Sequence, residues 1–232
     1  MTVHFHHCDN PQALAEQFAA DVADRLSAAL AMRDHASLVV SGGKSPVPFF
    51  QTLARANLPW HRVWITLADE RWVDPSSADS NERTVREHLL QGPAAAANFV
   101  PLKYAAPTPE TSLGECAAAL AAMPKPFDLV ILGMGEDGHT ASLFPGVAEL
   151  ASLLNVDAPP APVAVTPGHA PHRRISLNLS ALLNTHGIAL AISGSAKRAV
   201  LERALQENRP LELPIAAVLH QQRVPVDVYL AP

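Results

Sequence analysis

The sequence predicts an α/β fold in which a mostly parallel central sheet is covered by helices on both faces. Apolar, strand-like runs are followed at least four times by segments whose apolar residues recur at helical spacing. Four of these strands lead directly into short polar loops, with the sequences SGGKS, ADER, GMGEDGH and SGSAK. Because a parallel sheet places the carboxyl ends of its strands along one edge, we expect these four loops to meet there.

Length and composition favour one domain. The 232 residues would suit one large or two small α/β domains, but no shift in composition marks a boundary, so we expect a single domain spanning 1–232. A formal charge of −5 argues mildly against a nucleic-acid partner. No apolar run has the length of a signal peptide or a membrane span, and Cys8 and Cys116 lack a CxxC spacing. We therefore expect a reduced cytoplasmic protein without membrane partners.

The first half of the chain alternates strand and helix. Asp9 or Asn10 is placed to cap a helix that has Pro11 at its first position and runs to about Met32. A second helix follows the SGGKSP loop, with Ser45 as its expected cap. Further elements are strands at 2–6, 37–40 and 63–67 and a helix at 82–90.

The second half begins with an irregular region rich in proline and alanine at 92–109. The remaining predictions are a helix at 110–123, an apolar strand at 127–132, a proline-rich loop at 157–172 with a short strand at 163–166, strands at 174–179 and 187–192, a helix ending near 205, and a last edge strand at 226–230.

The stretch 128–146 carries the most chemistry. Three glycines in six residues bend the loop after an apolar strand and permit close approach to a ligand. His139 follows, and it is the side chain of this stretch whose ordinary pKa suits proton transfer near neutral pH. A capping or core histidine is the alternative, but Asp137 beside it and the strand end favour a base. Although GMGEDG matches GxGxxG, two carboxylates and the early Pro145 argue against nicotinamide binding.

Other loops supply candidates for holding an anion. Backbone amides before the second helix indicate a phosphate cradle, with a plain glycine turn as the alternative; its members are Gly42, Gly43, Lys44 and Ser45. Lys197 begins a helix, where a cation opposes the helix dipole and a bound anion would explain it; an ordinary surface lysine is the alternative.

Two further clusters leave alternatives open. Asp69, Glu70 and Arg71 at a strand end suit oxyanion contacts or, alternatively, an internal salt-bridge cluster. The run HFHHC at 4–8 has residues of metal-ligand type, but a solvated edge strand is the preferred interpretation, so no metal site is predicted.

With these loops considered together, the chain resembles the 6-phosphogluconolactonases, in the form related to glucosamine-6-phosphate deaminases. The resemblance covers nearly the whole chain, in order: SGGKSP at 41–46, DER at 69–71, SN at 80–81, GMGEDGHTASLFPG at 133–146, RRISLN at 173–178 and SGSAK at 193–197. It implies a Rossmann-like fold of the glucosamine-6-phosphate deaminase/ribose-5-phosphate isomerase type. It also implies hydrolysis of 6-phospho-D-glucono-1,5-lactone to 6-phosphogluconate in the oxidative pentose phosphate pathway.

The resemblance implies a role for each loop. His139 would take a proton from the attacking water, with Asp137 or a nearby carboxylate orienting its ring. Arg71 would bind either the phosphate or the developing oxyanion, while Asp69 and Asn81 would hold sugar hydroxyls. The phosphate would lie among Gly42, Gly43, Ser45, Arg174 and Lys197, with Lys44 as a weaker candidate.

Two rival functions differ in what they require. In the related deaminases a glutamate follows the histidine motif where this chain has Phe144, and a tyrosine usually stands in place of Arg71. A sugar-phosphate isomerase or deaminase would therefore lack the glutamate that pairs with the histidine to open the sugar ring. A non-catalytic sugar-phosphate sensor would need no base, so His139 suits catalysis better. The lactonase interpretation implies no cofactor, because hydrolysis moves no electrons. It implies a small phosphosugar lactone as the partner of a monomer or weak homodimer.

Overall fold

A computed structural model describes residues 3–232, and a parallel sheet of seven strands organises it. The ten strands of the described residues are β1 (Val3–His7), β2 (Ala36–Val40), β3 (Val63–Leu67), β4 (Asp69–Arg71), β5 (Asn98–Val100), β6 (Leu129–Leu132), β7 (Pro162–Val165), β8 (Arg174–Leu177), β9 (Ile188–Ser193) and β10 (Val226–Ala231). The large sheet has the order β1-β10-β9-β6-β2-β3-β5, and every neighbouring pair in it is parallel. Strands β2, β6 and β10 are buried at every position, so both faces are covered, as an all-parallel sheet requires. The predicted α/β class is confirmed.

Helices connect these strands. In the described residues they are α1 (Pro11–Met32), α2 (Val47–Leu53), α3 (Asn81–His88), α4 (Pro109–Ala121), α5 (Leu150–Leu153), α6 (Leu179–Leu182), α7 (Ser195–Gln206) and α8 (Ile215–His220), with 3₁₀ turns at Trp60–Arg62 and Gly92–Ala96. The start of α1 is as predicted, because Asn10 accepts a hydrogen bond from the amide of Ala13 at 2.9 Å and Pro11 occupies the first turn. Among residues 3–232, no helix combines the length and the apolar character that crossing a bilayer would need.

A second, antiparallel sheet of order β4-β8-β7 lies beside the large one. The sequence placed Asp69–Arg71 in a loop, but these three residues form β4 because they pair with β8, and Arg71 stands directly opposite Arg174. The main-chain hydrogen bond from Leu177 to the carbonyl of Ala68 ties β8 to the end of β3. This small sheet brings Arg174 to the carboxyl edge of the large sheet.

Several element predictions need correction. The helix after the SGGKSP loop begins at Val47, with Pro46 rather than Ser45 in the capping position and no side-chain cap. The last strand, β10, is an interior strand, because β1 pairs along its outer side and leaves β1 as the edge. The region 92–109 contains β5, which the proline and alanine content concealed. Of the predicted strand 2–6, Thr2 lies outside the described residues.

Candidate active site

A cavity of about 500 Å³ opens at the carboxyl edge of the large sheet. Each of the four polar loops contributes to its wall, and β8 adds one more side chain. The candidate residues that line it are Gly42, Ser45, Asp69, Arg71, Asn81, His139, Arg174 and Lys197. The four loops therefore meet at one edge, as the strand–loop pattern predicted.

The imidazole of His139 is held by Asp137 through one ring nitrogen. Its Nδ1 lies 2.5 Å from Oδ1 of Asp137, and the same oxygen accepts the amide hydrogen of His139 at 3.1 Å. A Cβ at Gly135 would lie 2.2 Å from that Nδ1, so only glycine leaves room for the pair. The ring is 30% exposed, and within the described residues its Nε2 has no hydrogen-bond partner. Nε2 is thus the atom available to a substrate or water.

The loop that carries His139 is fixed by its own hydrogen bonds. The amide of Gly135 donates to the carbonyl of His139 at 3.0 Å, and the hydroxyl of Thr140 donates to the carbonyl of Gly133 at 2.9 Å. Gly138 takes a left-handed φ of 79°, which favours glycine. Ser41 accepts the amide hydrogen of Gly133 at 3.1 Å and so joins this loop to the end of β2. The histidine therefore sits on a preorganised turn.

Phe144 forms an apolar wall beside the imidazole. Its ring centroid lies 4.3 Å from that of His139 with an angle of 33° between the planes, and the guanidinium carbon of Arg174 lies 5.7 Å from the Phe144 centroid. The sequence singled out Phe144 only for the glutamate that it replaces. Its packing role was missed, because a phenylalanine in an SLFP loop gives no signal of which side chain it will contact.

Arg71 and Arg174 stand at opposite positions of the antiparallel pair β4–β8, and both line the cavity. Like charges opposite each other in an antiparallel pair are destabilising, and in the described residues neither Arg71 nor Arg174 has a carboxylate partner within salt-bridge distance. The Nε atoms of both are buried without a hydrogen-bond partner. Burial lowers the pKa of the Arg174 guanidinium, Asp69 opposes that shift and Arg71 adds to it. A bound anion would offset the repulsion between the two guanidinium groups and could accept hydrogen bonds from them.

Asp69 and Asn81 form a buried polar wall on the same side. The side-chain amide nitrogen of Asn81 donates to the backbone carbonyl of Asp69 at 2.8 Å, and the hydroxyl of Ser142 donates to Oδ2 of Asp69 at 2.5 Å. A Cβ at Gly42 would lie 2.2 Å from Oδ1 of Asn81. The glycine at 42 is therefore required by Asn81, a reason that the sequence did not reveal.

Glu70 fixes the start of α3 by hydrogen bonds and does not line the cavity. Its buried carboxylate accepts the amide hydrogens of Arg71, Asn81 and Glu82, each at 2.7 Å, and the hydroxyl of Ser80 at 3.1 Å. Burial raises the pKa of Glu70, while the three amides oppose that shift. The polar cluster at 69–71 therefore divides: Asp69 and Arg71 face the cavity, and Glu70 is an internal structural group.

Three candidates lie outside the cavity wall: Gly43, Lys44 and Asp137. Asp137 reaches the site through His139. Gly43 has a φ of 92°, which explains the glycine by its backbone conformation. Lys44 is exposed at the surface. Conversely, Ser41 and Ser193 line the cavity without having been singled out.

Known proteins are similar to this chain in sequence and in fold. The family described as glucosamine-6-phosphate isomerases/6-phosphogluconolactonase matches residues 9–226. The chain belongs to this family. A 6-phosphogluconolactonase of Rhizobium meliloti is 42% identical over 232 residues, with all of both chains covered. The crystal structure of a 6-phosphogluconolactonase from Shewanella baltica is 45% identical with a TM-score of 0.95, covering 99% of this chain and 98% of that one.

A more distantly related solved structure has the same fold. A monomeric glucosamine-6-phosphate deaminase superposes with a TM-score of 0.77 over 98% of this chain and 97% of its own, at 17% identity. Identity this low shows the fold alone. The predicted deaminase-type Rossmann-like architecture is confirmed, and so is the family that the motifs indicated.

Proposed function

We propose that the chain hydrolyses 6-phospho-D-glucono-1,5-lactone to 6-phosphogluconate in the pentose phosphate pathway, with His139 as general base. The observation that supports this most is that His139, whose Nε2 has no hydrogen-bond partner among the described residues, lines one cavity together with Arg71, Arg174 and Lys197. Family membership and the names of the relatives agree with a lactonase. The pairing of Asp137 with Nδ1 leaves Nε2 to act.

The proposed reaction needs one base and one oxyanion partner. Water attacks the lactone carbonyl carbon while Nε2 of His139 takes its proton. The charge that develops on the carbonyl oxygen is stabilised by the guanidinium of Arg71. The bond from this carbon to the ring oxygen then breaks, and the imidazolium returns the proton to that oxygen. Asp137 stabilises the charged ring between the two transfers, as the acidic member of a triad does.

The proposed phosphate site is at the start of α7. Lys197 lies in the first turn of this helix and, within the described residues, makes no hydrogen bond or ion pair. A phosphate carries nearly two negative charges and three acceptor oxygens, so it would satisfy Lys197 and Arg174 together with the amides of Gly42 and Ser45. Asp69 and Asn81 are proposed to contact the sugar hydroxyls, because both line the cavity with their polar ends held in place.

The wall formed by Phe144 favours hydrolysis over isomerisation. A deaminase or isomerase of this fold would need a further acid–base group beside the histidine. Phe144 places an apolar ring there, 4.3 Å from His139. A sensor would bind the same phosphosugar without needing the Asp137–His139 pair.

The proposal also covers the domain organisation, the oligomeric state and the cellular compartment of the enzyme. Residues 1–232 are proposed to be one lactonase domain, since a single contiguous core joins the elements of the described part. All proposed site residues come from one chain, so a monomer or weak homodimer would suffice for activity. Cys8 and Cys116 are both free, which suits a reducing cytoplasm.

A coupled assay tests the proposal. Freshly prepared 6-phosphogluconolactone is followed with and without the protein, and 6-phosphogluconate is measured after correction for spontaneous hydrolysis. We expect clear acceleration by the wild type. A rate equal to that of buffer would contradict the proposal. Binding of 6-phosphogluconate without acceleration would instead indicate a sensor, and ammonia release from glucosamine 6-phosphate would indicate a deaminase.

A further inference from the structure

Each of the two facing arginines is held by the main chain of a different surface loop. A terminal nitrogen of Arg71 donates to the carbonyl of Asp79 at 2.7 Å, in the loop before α3. A terminal nitrogen of Arg174 donates to the carbonyl of Pro171 at 3.1 Å, in the loop before β8. The orientation of each guanidinium in the cavity therefore depends on the position of a loop carbonyl.

The two loops are joined to each other beside these carbonyls. Nε2 of His172 lies 3.0 Å from Oδ2 of Asp79, with the two side chains 34% and 61% exposed. Asp79 supplies the carbonyl that holds Arg71, and His172 directly follows Pro171, whose carbonyl holds Arg174. One side-chain pair thus connects both guanidinium supports.

The backbone of the second loop shows why such a connection is needed. His172 takes a φ of 69°, a left-handed conformation that residues other than glycine seldom adopt and that surrounding contacts must maintain. The first loop is fixed internally, because Asp74 accepts hydrogen bonds from the amide and hydroxyl of Ser76 at 2.9 and 2.6 Å. The amide of Asp79 donates to the hydroxyl of Ser77 at 3.2 Å, so Asp79 belongs to a loop with internal contacts and can help to hold His172 in its left-handed conformation.

We propose that Asp79 and His172 are positioning residues, whose contact keeps Arg71 and Arg174 aimed at one anionic substrate. The inference rests on the proposed function, in which these guanidinium groups bind the phosphate and the oxyanion. Because the two like charges stand opposite each other, they repel in the absence of an anion. The link between the loops holds them in the binding arrangement before the substrate arrives, which lowers the ordering cost of binding.

The test compares variants that break the link with variants that retain it. Asp79→Ala removes the acceptor. His172→Asn keeps a residue that tolerates the left-handed conformation but is too short to reach Asp79. Asp79→Asn keeps an oxygen that can accept from Nε2. His169→Ala is the matched control, since His169 is exposed in the same loop and, among the described contacts, makes no side-chain hydrogen bond.

We expect Asp79→Ala and His172→Asn each to raise KM for the lactone, and the inhibition constant of 6-phosphogluconate, about twofold to fivefold, the scale of one partly exposed polar contact. The turnover number should fall by no more than about fivefold, because Arg71, which stabilises the developing oxyanion, loses only its support while His139 is untouched. Asp79→Asn should recover most of the loss, and His169→Ala should match the wild type. The double variant Asp79→Ala/His172→Asn should be no worse than either single one, since both remove the same contact.

Other outcomes separate the two proposals. If the wild type turns over the lactone but both link-breaking variants keep its KM and inhibition constant, the positioning role is wrong and the lactonase proposal stands. The positioning role is equally wrong if Asp79→Asn is as impaired as Asp79→Ala, or if the double variant shows the product of the single losses. A wild type without lactonase activity would overturn the proposed function instead, and with it this inference.

Discussion

Two aspartate–histidine pairs in this protein have similar geometry and different surroundings. In the cavity, Nδ1 of His139 lies 2.5 Å from Asp137, and its ring packs on Phe144 at 4.3 Å between centroids. At the edge strand, Nε2 of His6 lies 2.9 Å from Asp227, and its ring stacks on Tyr229 at 4.4 Å. Distance and aromatic packing therefore do not distinguish a candidate catalytic pair from a structural one.

The neighbours of each carboxylate make the difference. Asp227 has a side chain only 6% exposed, and it also contacts Arg25 at 2.5 Å and His4 at 3.5 Å. These contacts of Asp227 connect β1 and α1 to β10. Asp137 is 49% exposed and, within the described residues, has no salt-bridge partner other than His139. His139 lines a cavity whose wall also includes Arg71, Arg174 and Lys197, and in the described residues its second nitrogen has no hydrogen-bond partner.

The comparison gives a reason why His139 can serve as the proposed base: Asp137 has no other salt-bridge partner in the described residues, whereas Asp227 is shared among Arg25, His4 and His6. It also explains the alternating histidines at 4 and 6. They lie on one face of an edge strand, next to a buried aspartate that no local sequence pattern associates with them.

Replacing each histidine provides the sharpest contrast. His139→Ala should lower the turnover number at least about 100-fold, the usual scale of acid–base catalysis, with little change in KM. His6→Ala should leave turnover within about twofold and cost on the order of 1 kcal/mol of folding free energy, the worth of one hydrogen bond. Coupled kinetics and urea unfolding of both variants check this. Near-wild-type turnover of His139→Ala would exclude it as the base.

The two lysines of the candidate site offer a second contrast. Lys197→Ala should raise KM about tenfold or more, because a charge-assisted hydrogen bond to phosphate is worth about 1.5–3 kcal/mol. Lys44→Ala should have a smaller effect, since Lys44 is exposed and outside the cavity wall. Initial rates over a range of lactone concentrations give both values. A larger rise in KM for Lys44→Ala than for Lys197→Ala would contradict this assignment and indicate that the phosphate binds at the SGGKS loop.

Asp137→Asn sharpens the catalytic half of the comparison. The amide oxygen can still accept from Nδ1 but cannot stabilise the charged ring, so turnover should fall about tenfold, less than for loss of the base. The carboxylate is half exposed, and solvent screening limits its contribution. The measurement is the turnover number at saturating lactone. Equal losses for Asp137→Asn and His139→Ala would contradict this ranking and show that the charge of the carboxylate matters to turnover as much as the base itself.

Asp227→Asn should produce the smallest change, a loss of about 1 kcal/mol of stability at neutral pH and none of activity. Burial favours a higher pKa for Asp227, but hydrogen bonds from His6 and Arg25 outweigh it, and the pKa is lowered. A carboxylate with a lowered folded-state pKa contributes stability above its unfolded value of about 3.9 and loses it as pH falls through the folded value. Urea unfolding should therefore show the two proteins converging in acid below about pH 4. A constant difference from pH 5 downward would contradict the assignment.

The arrangement of the large sheet was predictable because apolar runs and glycine-bent loops are local signals. That is why the strands preceding Gly42, Asp69, Gly133 and Gly194 were found, and why their loops were expected to meet. The edge position assigned to β10 was wrong, because strand order depends on pairing with β1, more than 200 residues away. No local pattern contains that information.

The candidate site was predictable to the level of residue types and neighbourhood. His139, Arg71 and Lys197 were identified from position at strand or helix ends. The contacts between loops were not, because they depend on tertiary packing: Asn81 against Gly42, Phe144 between His139 and Arg174. The sequence also left the ring tautomer open, whereas the contact with Asp137 assigns Nδ1 to the carboxylate.

The most direct test of the proposed mechanism is a crystal structure of the complex with 6-phosphogluconate. We predict that the product carboxylate lies within about 4 Å of Nε2 of His139, directly or through one water, while its phosphate contacts Lys197 and Arg174. The opposite orientation, with the phosphate beside His139 and the carboxylate at α7, would contradict the proposed division between base and anion site.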